Sequence, residues 1–243
     1  MKTLLQNKTA IVYGAAGSVG SAVAGAFARE GARVVLTGRT PDTLAEVAER
    51  IRDAGGNVET AVVDALDGGA VRAHADQVAA AGGIDIAFNA TSNEDLQGIP
   101  LLDMDFAEFA RPVSKVIATH FNIATAAARH MMGRGGVILA LGGGREAIPN
   151  LGGAHVAWSA LAGLSRQLAS ELGGAGVRVA WILSPGSPDP DRTGPGDPLA
   201  GNTLLGQRPS YQDVANAAVF AASDWAATMT ATEINLTGGA VID

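Results

Sequence analysis

The chain has 243 residues, of which 47% are hydrophobic and 17% charged, and its formal net charge at pH 7 is −7. This balance excludes a disordered chain and predicts one large α/β domain over residues 1–243. The negative charge argues against nucleic acid or an anionic membrane as a partner, and the lack of cysteine excludes disulfides and thiolate metal sites. No apolar run approaches the ~18 residues of a membrane span and residues 1–8 lack an apolar leader, so we expect a cytoplasmic protein.

Short β-type runs alternate with helical patterns along the whole chain. The predicted strands are Thr9–Tyr13, Arg33–Thr37, Val58–Val63, Ile84–Asn89, Val137–Leu141, Arg178–Leu183 and Glu233–Leu236. The predicted helices are Val19–Glu30, Pro41–Ala54, Ala70–Ala80, Phe106–Met132, Ala154–Leu172 and Tyr211–Ala222, with capping residues at Thr40 and at Ser210 with Asp213. The alternation predicts a Rossmann-type α/β fold, a doubly wound, seven-stranded, mostly parallel sheet in a three-layer αβα sandwich.

A glycine loop at residues 14–20 joins the first predicted strand to the first predicted helix. In this context glycines let the backbone turn tightly and approach a pyrophosphate, while the helix start presents free N–H groups. Ligands of such sheets bind at the carboxyl ends of the strands. We therefore predict a dinucleotide site that includes Gly14, Gly17, Ser18, Val19 and Gly20.

The second predicted strand indicates which dinucleotide is bound. Sites for NAD usually carry an acidic residue about twenty positions after the glycine loop, to hold the ribose hydroxyls. No Asp or Glu occurs between Gly31 and Pro41, whereas Arg39 offers a planar donor fork that suits a 2′-phosphate. We therefore predict NADP(H) rather than NAD(H), bound by Arg39 and the adjacent Thr40; the alternative is a solvated arginine at a strand end.

Several short motifs occur in a characteristic order. They are Gly14/Gly17/Gly20, Asp64 after the third strand, Asn89-Ala90 after the fourth, Ser184-Pro185-Gly186 after the sixth, and Leu236-Thr237-Gly238-Gly239 near the end. In this order the chain resembles the short-chain dehydrogenase/reductase family over nearly its whole length. The resemblance implies that Asp64 and Ala65 flank the adenine, Asn89 and Ala90 line the adenine ribose side, and Pro185 and Gly186 pack near the nicotinamide. It also implies a small-molecule substrate and a homodimer or homotetramer.

The catalytic residues usual in that family are missing. The resemblance implies an Asn, Ser, Tyr and Lys set, with Tyr and Lys four residues apart on one helix face. The tyrosine position falls at Ala157, the lysine position at Leu161, the asparagine position near Val116 and the serine position at Gly143 or Gly144. Loss of a general acid alone costs ~10²–10⁴ in rate.

Other side chains nearby offer replacement chemistry. His155, at the entrance of the same helix, has a side chain that can act as an acid near pH 7, or it is a loop histidine. Arg145, after the glycine triplet, either binds an anionic substrate or oxyanion or is a surface arginine. Trp158 and Ser159 offer further donors, and His120 is expected at a subunit interface rather than at the site. No His, Asp or Glu cluster has metal-ligand spacing.

The segment Pro185 to Pro209 holds six of the ten prolines and five glycines, which excludes regular structure. Its place after the sixth strand favours a substrate lid over a variable surface loop.

The sequence leaves three functions open. The first is an NADP(H)-dependent oxidoreductase with a non-standard active site, reducing a carbonyl, imine or enone. The others are a catalytically silent NADP(H)-binding protein and a non-redox lyase or isomerase that uses the same pocket.

Overall fold

The computed structural model describes residues 3–184 and 203–242. Seven strands in these ranges form one sheet of order β3-β2-β1-β4-β5-β6-β7 in which every neighbouring pair is parallel. The strands are β1 Thr9–Tyr13, β2 Arg33–Gly38, β3 Asn57–Val62, β4 Ile86–Asn89, β5 Gly136–Gly142, β6 Val177–Leu183 and β7 Thr232–Asn235. The predicted Rossmann-type fold is confirmed, with an all-parallel sheet.

Six α-helices cover the two faces of this sheet. They are α1 Ser18–Arg29, α2 Pro41–Asp53, α3 Gly68–Ala80, α4 Phe106–Met131, α5 Ala154–Leu172 and α6 Tyr211–Ala222. One face is packed by α1, α2 and α6, through side chains such as Phe27 and Val47. The other face is packed by α3, α4 and α5, through side chains such as Ile123 and Leu168. Both faces are covered because parallel strands are joined by helical crossovers.

The predicted helix starts have local causes that the structure shows. The capping box at α6 is present, since the Ser210 hydroxyl accepts the Asp213 N–H at 3.2 Å while the Asp213 carboxylate accepts the Ser210 N–H at 2.8 Å. Thr40 occupies the N-cap of α2 and Pro41 is the first helical residue, but the Thr40 side chain makes no capping hydrogen bond. Instead, its carbonyl oxygen accepts the Thr43 hydroxyl at 3.1 Å.

The sheet reverses its strand order between β1 and β4, which lie side by side although they are far apart in the chain. A crevice opens there because the crossovers on either side run in opposite directions. The carboxyl ends of β1, β2 and β4 therefore frame the place where ligands of such sheets bind.

Among the helices in the described ranges, none has a stretch of apolar residues long enough to cross a bilayer.

Candidate cofactor cleft and active site

The glycine loop follows β1 with a backbone that only small residues permit. Gly14 has a φ of +75°, and a Cβ there would lie 2.5 Å from the carbonyl oxygen of Ala90. A Cβ at Gly20 would lie 2.2 Å from the carbonyl oxygen of Gly14. Gly14 and Gly20 thus allow the loop to close on itself and on the end of β4.

Gly17 has a different role in the same loop. A Cβ there would meet only the Gly14 carbonyl oxygen, at 3.4 Å, so the missing side chain leaves open space. Gly17 is also the N-cap of α1. The first backbone hydrogen bond of this helix runs from the Ser21 N–H to the Gly17 carbonyl oxygen, at 2.8 Å. Helix geometry therefore leaves the N–H groups of the first three helical residues, 18 to 20, without an intrahelical acceptor. This is the environment that binds a pyrophosphate.

A cleft of about 250 Å³ lies beside this loop at the strand reversal. We call it the switch-point cleft. Its lining includes seven predicted cofactor residues, namely Gly14, Gly17, Arg39, Thr40, Asp64, Ala65 and Ala90. Ser18, Val19 and Gly20 form the start of α1 and Asn89 ends β4, and these four predicted residues are not part of the lining. The predicted residues Pro185 and Gly186, and most of the predicted lid over 185–209, lie outside the described residues.

Asp64 and Ala65 form a turn after β3 that is held from two sides. The Asp64 carboxylate accepts the Leu66 N–H at 3.0 Å. Asn122, from α4, donates through Nδ2 to the Ala65 carbonyl oxygen at 3.0 Å and to the Leu66 carbonyl oxygen at 3.3 Å. The sequence did not single out Asn122, yet its amide positions the turn that is predicted to flank the adenine.

Asn89 is buried at the end of β4 and fixes the backbone that follows it. Its Oδ1 accepts the Thr91 N–H at 3.0 Å and the Thr91 hydroxyl at 2.7 Å. The Thr91 hydroxyl also lies 3.2 Å from the Thr119 hydroxyl on α4. Both threonines line the switch-point cleft. Asn89 thus fixes Thr91 beside the cleft, while its predicted place on the adenine ribose side stays a prediction.

Lys115 is a charged cleft residue that the sequence did not indicate, and Glu94 is its charged partner beside the cleft. Lys115, on α4, lines the cleft and its side chain is only 11% exposed. Its Nζ contacts Glu94 Oε1, and the same oxygen accepts Arg39 Nη2 at 3.4 Å. The Lys115 ammonium, with a smaller effect from Arg39, holds the pKa of the Glu94 carboxyl below its usual range.

The positions predicted to correspond to the family's tyrosine and lysine are apolar and closed. Ala157 has no exposed surface, and Leu161 is 2% exposed. Leu161 forms a small core cluster with Ala140 and Trp181, and Val116 packs against this cluster from α4. Carbon atoms therefore occupy the space that polar groups of a proton-transfer set would need.

The two candidate serine positions differ sharply in the space around them. A Cβ at Gly143 would lie 2.1 Å from Cε2 of Trp158, because the indole ring covers this glycine. A Cβ at Gly144 would meet no atom within 4 Å. Trp158 thus fills the position of a side chain at residue 143, while residue 144 stays open.

The two candidate catalytic residues, Arg145 and His155, are not among those that line the switch-point cleft. Arg145 donates through Nε to Glu233 Oε1 at 3.1 Å, and Trp181 Nε1 donates to Glu233 Oε2 at 2.8 Å. This group lines a separate cavity with Gly143, Gly144 and Trp158. His155 is the second residue of α5 and is half-buried, and its Nδ1 is buried without a hydrogen-bond partner among the described residues. Their catalytic roles stay predictions.

His120 is buried between α4 and α5, within the chain rather than at its surface. Its Nε2 and the hydroxyl oxygen of Ser165 are 3.1 Å apart and share a hydrogen bond. Burial lowers the pKa of His120 from 6.5 to about 4, so the ring is neutral near pH 7. The sequence-based expectation that His120 faces a subunit interface does not fit its zero exposure in the single chain.

Across residues 3–184 and 203–242, no group of three His, Asp or Glu side chains is arranged to hold a metal ion.

Comparisons with known proteins agree with this architecture. A family model described as enoyl-(acyl carrier protein) reductase matches residues 14–241. The uncharacterized oxidoreductase YxbG of Bacillus subtilis is 32% identical, over 97% of this chain and 91% of the relative. A short-chain type dehydrogenase/reductase from Mycobacterium ulcerans superposes with a TM-score of 0.89 at 26% identity, covering 97% of this chain and 90% of that one. The carveol dehydrogenase from Mycobacterium avium in complex with NAD superposes with a TM-score of 0.88 at 25% identity, covering 98% and 99%.

The chain therefore belongs to the short-chain dehydrogenase/reductase family, as the order of its motifs indicated. Members of this family are oxidoreductases that use nicotinamide cofactors and act on small molecules.

Proposed function

We propose that this chain is an NADP(H)-binding oxidoreductase with a non-standard active site, which reduces a carbonyl, imine or enone group of a small molecule. The observation that carries the proposal is the switch-point cleft, where the glycine loop, Arg39 and the Asp64 turn meet. The residues fit such a dinucleotide, because Gly17 leaves space at the start of α1 and the first-turn N–H groups face no intrahelical acceptor.

Arg39 supports the choice of NADP(H) over NAD(H). It follows β2 directly, lines the cleft and is 63% exposed, so its guanidinium can reach a phosphate on the adenine ribose. No acidic residue stands at the end of β2 in its place. Thr40 and Thr43 line the cleft beside it and offer hydroxyl donors.

The apolar residues at the predicted Asn, Tyr and Lys positions favour a substrate whose reduction needs no proton from the protein. A bound nicotinamide supplies or accepts a hydride. Ala157, Leu161 and Val116 exclude water and offer no proton. An iminium ion enters already protonated, so its reduction does not require the tyrosine that is missing, whereas a ketone requires a proton donor such as His155.

One observation favours a second candidate, a protein that binds NADP(H) without turnover. The indole of Trp158 covers Gly143, and Leu161 packs in one cluster with Trp181, so two of the predicted catalytic positions have neighbouring side chains in the space a polar group would need. A cofactor-binding cleft can persist beside such a core because the two sites draw on different strand ends.

Calorimetry and a reduction assay separate these candidates. We expect NADPH to bind at least ten times more tightly than NADH, and Arg39→Leu to remove this difference while Arg72→Leu, on the exposed face of α3, leaves it unchanged. Oxidation of NADPH across ketone, imine and enone panels then decides between an enzyme and a binder. Activity lost in His155→Gln would identify the proton donor. Absence of NADPH binding at millimolar concentration would contradict both candidates and favour the non-redox lyase or isomerase.

We further propose that the chain forms a homodimer or homotetramer, as members of this family typically do. Large apolar side chains are exposed on α4 and α5 of the single chain, including Phe106 at 80%, Phe121 at 51% and Val156 at 42%. Light scattering coupled to gel filtration tests this proposal. A monomeric wild type would contradict it, and Phe121→Glu is expected to lower the assembly state.

A further inference from the structure

Lys115 is a cleft residue that the family motifs do not explain. It projects from the first half of α4, and only 11% of its side chain is exposed. Lysine is seldom buried unless an anion compensates its charge. In the free chain that anion is Glu94, from the segment between β4 and α4. Lys115 lines the cleft, and the Glu94 carboxylate reaches Lys115 and Arg39, two lining residues, from beside it.

The backbone around Glu94 holds its carboxylate against Lys115 and Arg39. Glu94 has a φ of +55°, in the left-handed region that non-glycine residues seldom adopt. Its N–H donates to the Ser92 hydroxyl oxygen at 3.1 Å, and its carbonyl oxygen accepts Arg111 Nε at 3.2 Å. Two hydrogen bonds thus secure this unusual conformation.

Two cationic groups converge on one oxygen of this carboxylate. Arg39 comes from the end of β2 and Lys115 from α4, yet both contact Glu94 Oε1. A phosphate monoester offers three acceptor oxygens and carries ≈ −1.5 to −2 charge at pH 7. It therefore satisfies an arginine and a lysine together better than a single carboxylate does.

We propose that Lys115 is a second ligand of the 2′-phosphate of NADP(H), and that Glu94 is a tethered anion which occupies this place until the phosphate displaces it. The proposal rests on the NADP(H) preference proposed above. It assigns a specificity role to two residues outside the glycine loop and the β2 end.

The different exposures of the three side chains define which of them moves. The Glu94 side chain is 44% exposed and the Arg39 side chain 63%, so both have room to turn toward solvent. Lys115 is nearly enclosed and keeps its charge in the cleft. Once Glu94 leaves, Lys115 needs another anion, which NADP(H) carries at the ribose and NAD(H) does not. Glu94 thus opposes NADP(H) binding, and Lys115 favours it.

The test is calorimetric titration of the wild type and two variants with NADP⁺ and with NAD⁺. Lys115→Met keeps the length of the side chain without its charge, and Glu94→Gln keeps the shape of the tethered group. Matched controls are Lys8→Met and Glu59→Gln, whose residues pair with Asp224 at 3.4 Å and Arg33 at 2.8 Å outside the cleft. Thermal melts of all variants show that the fold is retained.

We expect Lys115→Met to weaken NADP⁺ binding by about 10-fold to 100-fold, the loss typical of a hydrogen bond to a charged group, with NAD⁺ binding within about 2-fold. Glu94→Gln should tighten NADP⁺ binding by about 2-fold to 5-fold, because the competing group loses its charge and an exposed ion pair is weak. Both controls should match the wild type.

Three results would overturn the inference, and each is distinguishable. If the wild type prefers NADP⁺ but Lys115→Met binds it as tightly, the proposed function stands and the role of Lys115 is wrong. If Glu94→Gln weakens NAD⁺ binding instead, Glu94 is the acidic acceptor of ribose hydroxyls in an NAD site. If the wild type binds neither nucleotide, the proposed function fails together with the inference.

Discussion

Acidification should destabilise this protein through His120, which is buried between α4 and α5. Burial lowers its pKa in the folded chain from 6.5 to about 4. The unfolded chain therefore binds a proton at His120 between these two values, while the folded chain does not. Stability contributed by the neutral ring is complete above the unfolded pKa and is lost as the pH falls through that window.

The size of this loss follows from the two pKa values. Between about pH 7.5 and about pH 5, the linkage relation gives a fall of about 2 kcal/mol in the free energy of unfolding from His120 alone. His74 adds to this trend, since burial also lowers its pKa. The His120 contribution must therefore be isolated as a difference between the wild type and a variant.

Urea denaturation of the wild type and of His120→Gln at both pH values measures that difference. The variant keeps a polar partner for Ser165 but does not titrate, so its pH dependence should be flatter by about 2 kcal/mol. Ser165→Ala should keep the steep dependence, because burial rather than the hydrogen bond causes the shift. If the wild type and His120→Gln lose the same stability within about 0.5 kcal/mol, the reasoning is refuted.

Two further predictions compare matched glycines. Gly20→Ala should abolish NADPH binding in calorimetry, because the new methyl would lie 2.2 Å from the Gly14 carbonyl oxygen. Gly163→Ala, on α5 with no atom within 4 Å of the new carbon, should leave binding intact and raise stability by about 1 kcal/mol; equal binding by both variants would contradict the account of the loop. Gly143→Ser should cost about 1–3 kcal/mol in urea denaturation because it collides with Trp158, whereas Gly144→Ser should be near neutral. A well-tolerated Gly143→Ser would show that the indole moves freely.

The sequence predicted the elements well because each is encoded locally. Apolar alternation and runs place the strands, and α5 and α6 begin and end where expected. The Ser210 cap accounts for the start of α6, whereas α5 follows Gly153, which makes no side-chain capping bond. The differences between predicted and observed element bounds also have local causes. Helix α3 begins at Gly68 rather than Ala70, because the Asp67 carboxylate accepts the N–H groups of Gly69 and Ala70 and holds two glycines in the first turn. Glycine propensity alone argues against that start.

The candidate site was predictable only where a motif carries it. The glycine loop, Arg39 and Asp64 follow strand ends, and the topology brings strand ends together. Lys115, Thr119 and Asn122 lie inside a 26-residue helix, where isolated polar residues normally face solvent. Their spacing of four and then three residues puts them on one face, which was the available signal. Only the tertiary packing of α4 against β4 brings that face of the helix to the switch-point cleft.

The indole that covers Gly143 constrains the order in which this active site can change. A hydroxyl at residue 144 is one substitution away, because that position is open. A hydroxyl at residue 143 is accessible only after Trp158 has become smaller, and a smaller residue 158 alone leaves a cavity beneath it. Each of these two steps costs stability without the other. A serine at residue 143 therefore lowers stability at each single step, whereas a serine at residue 144 does not.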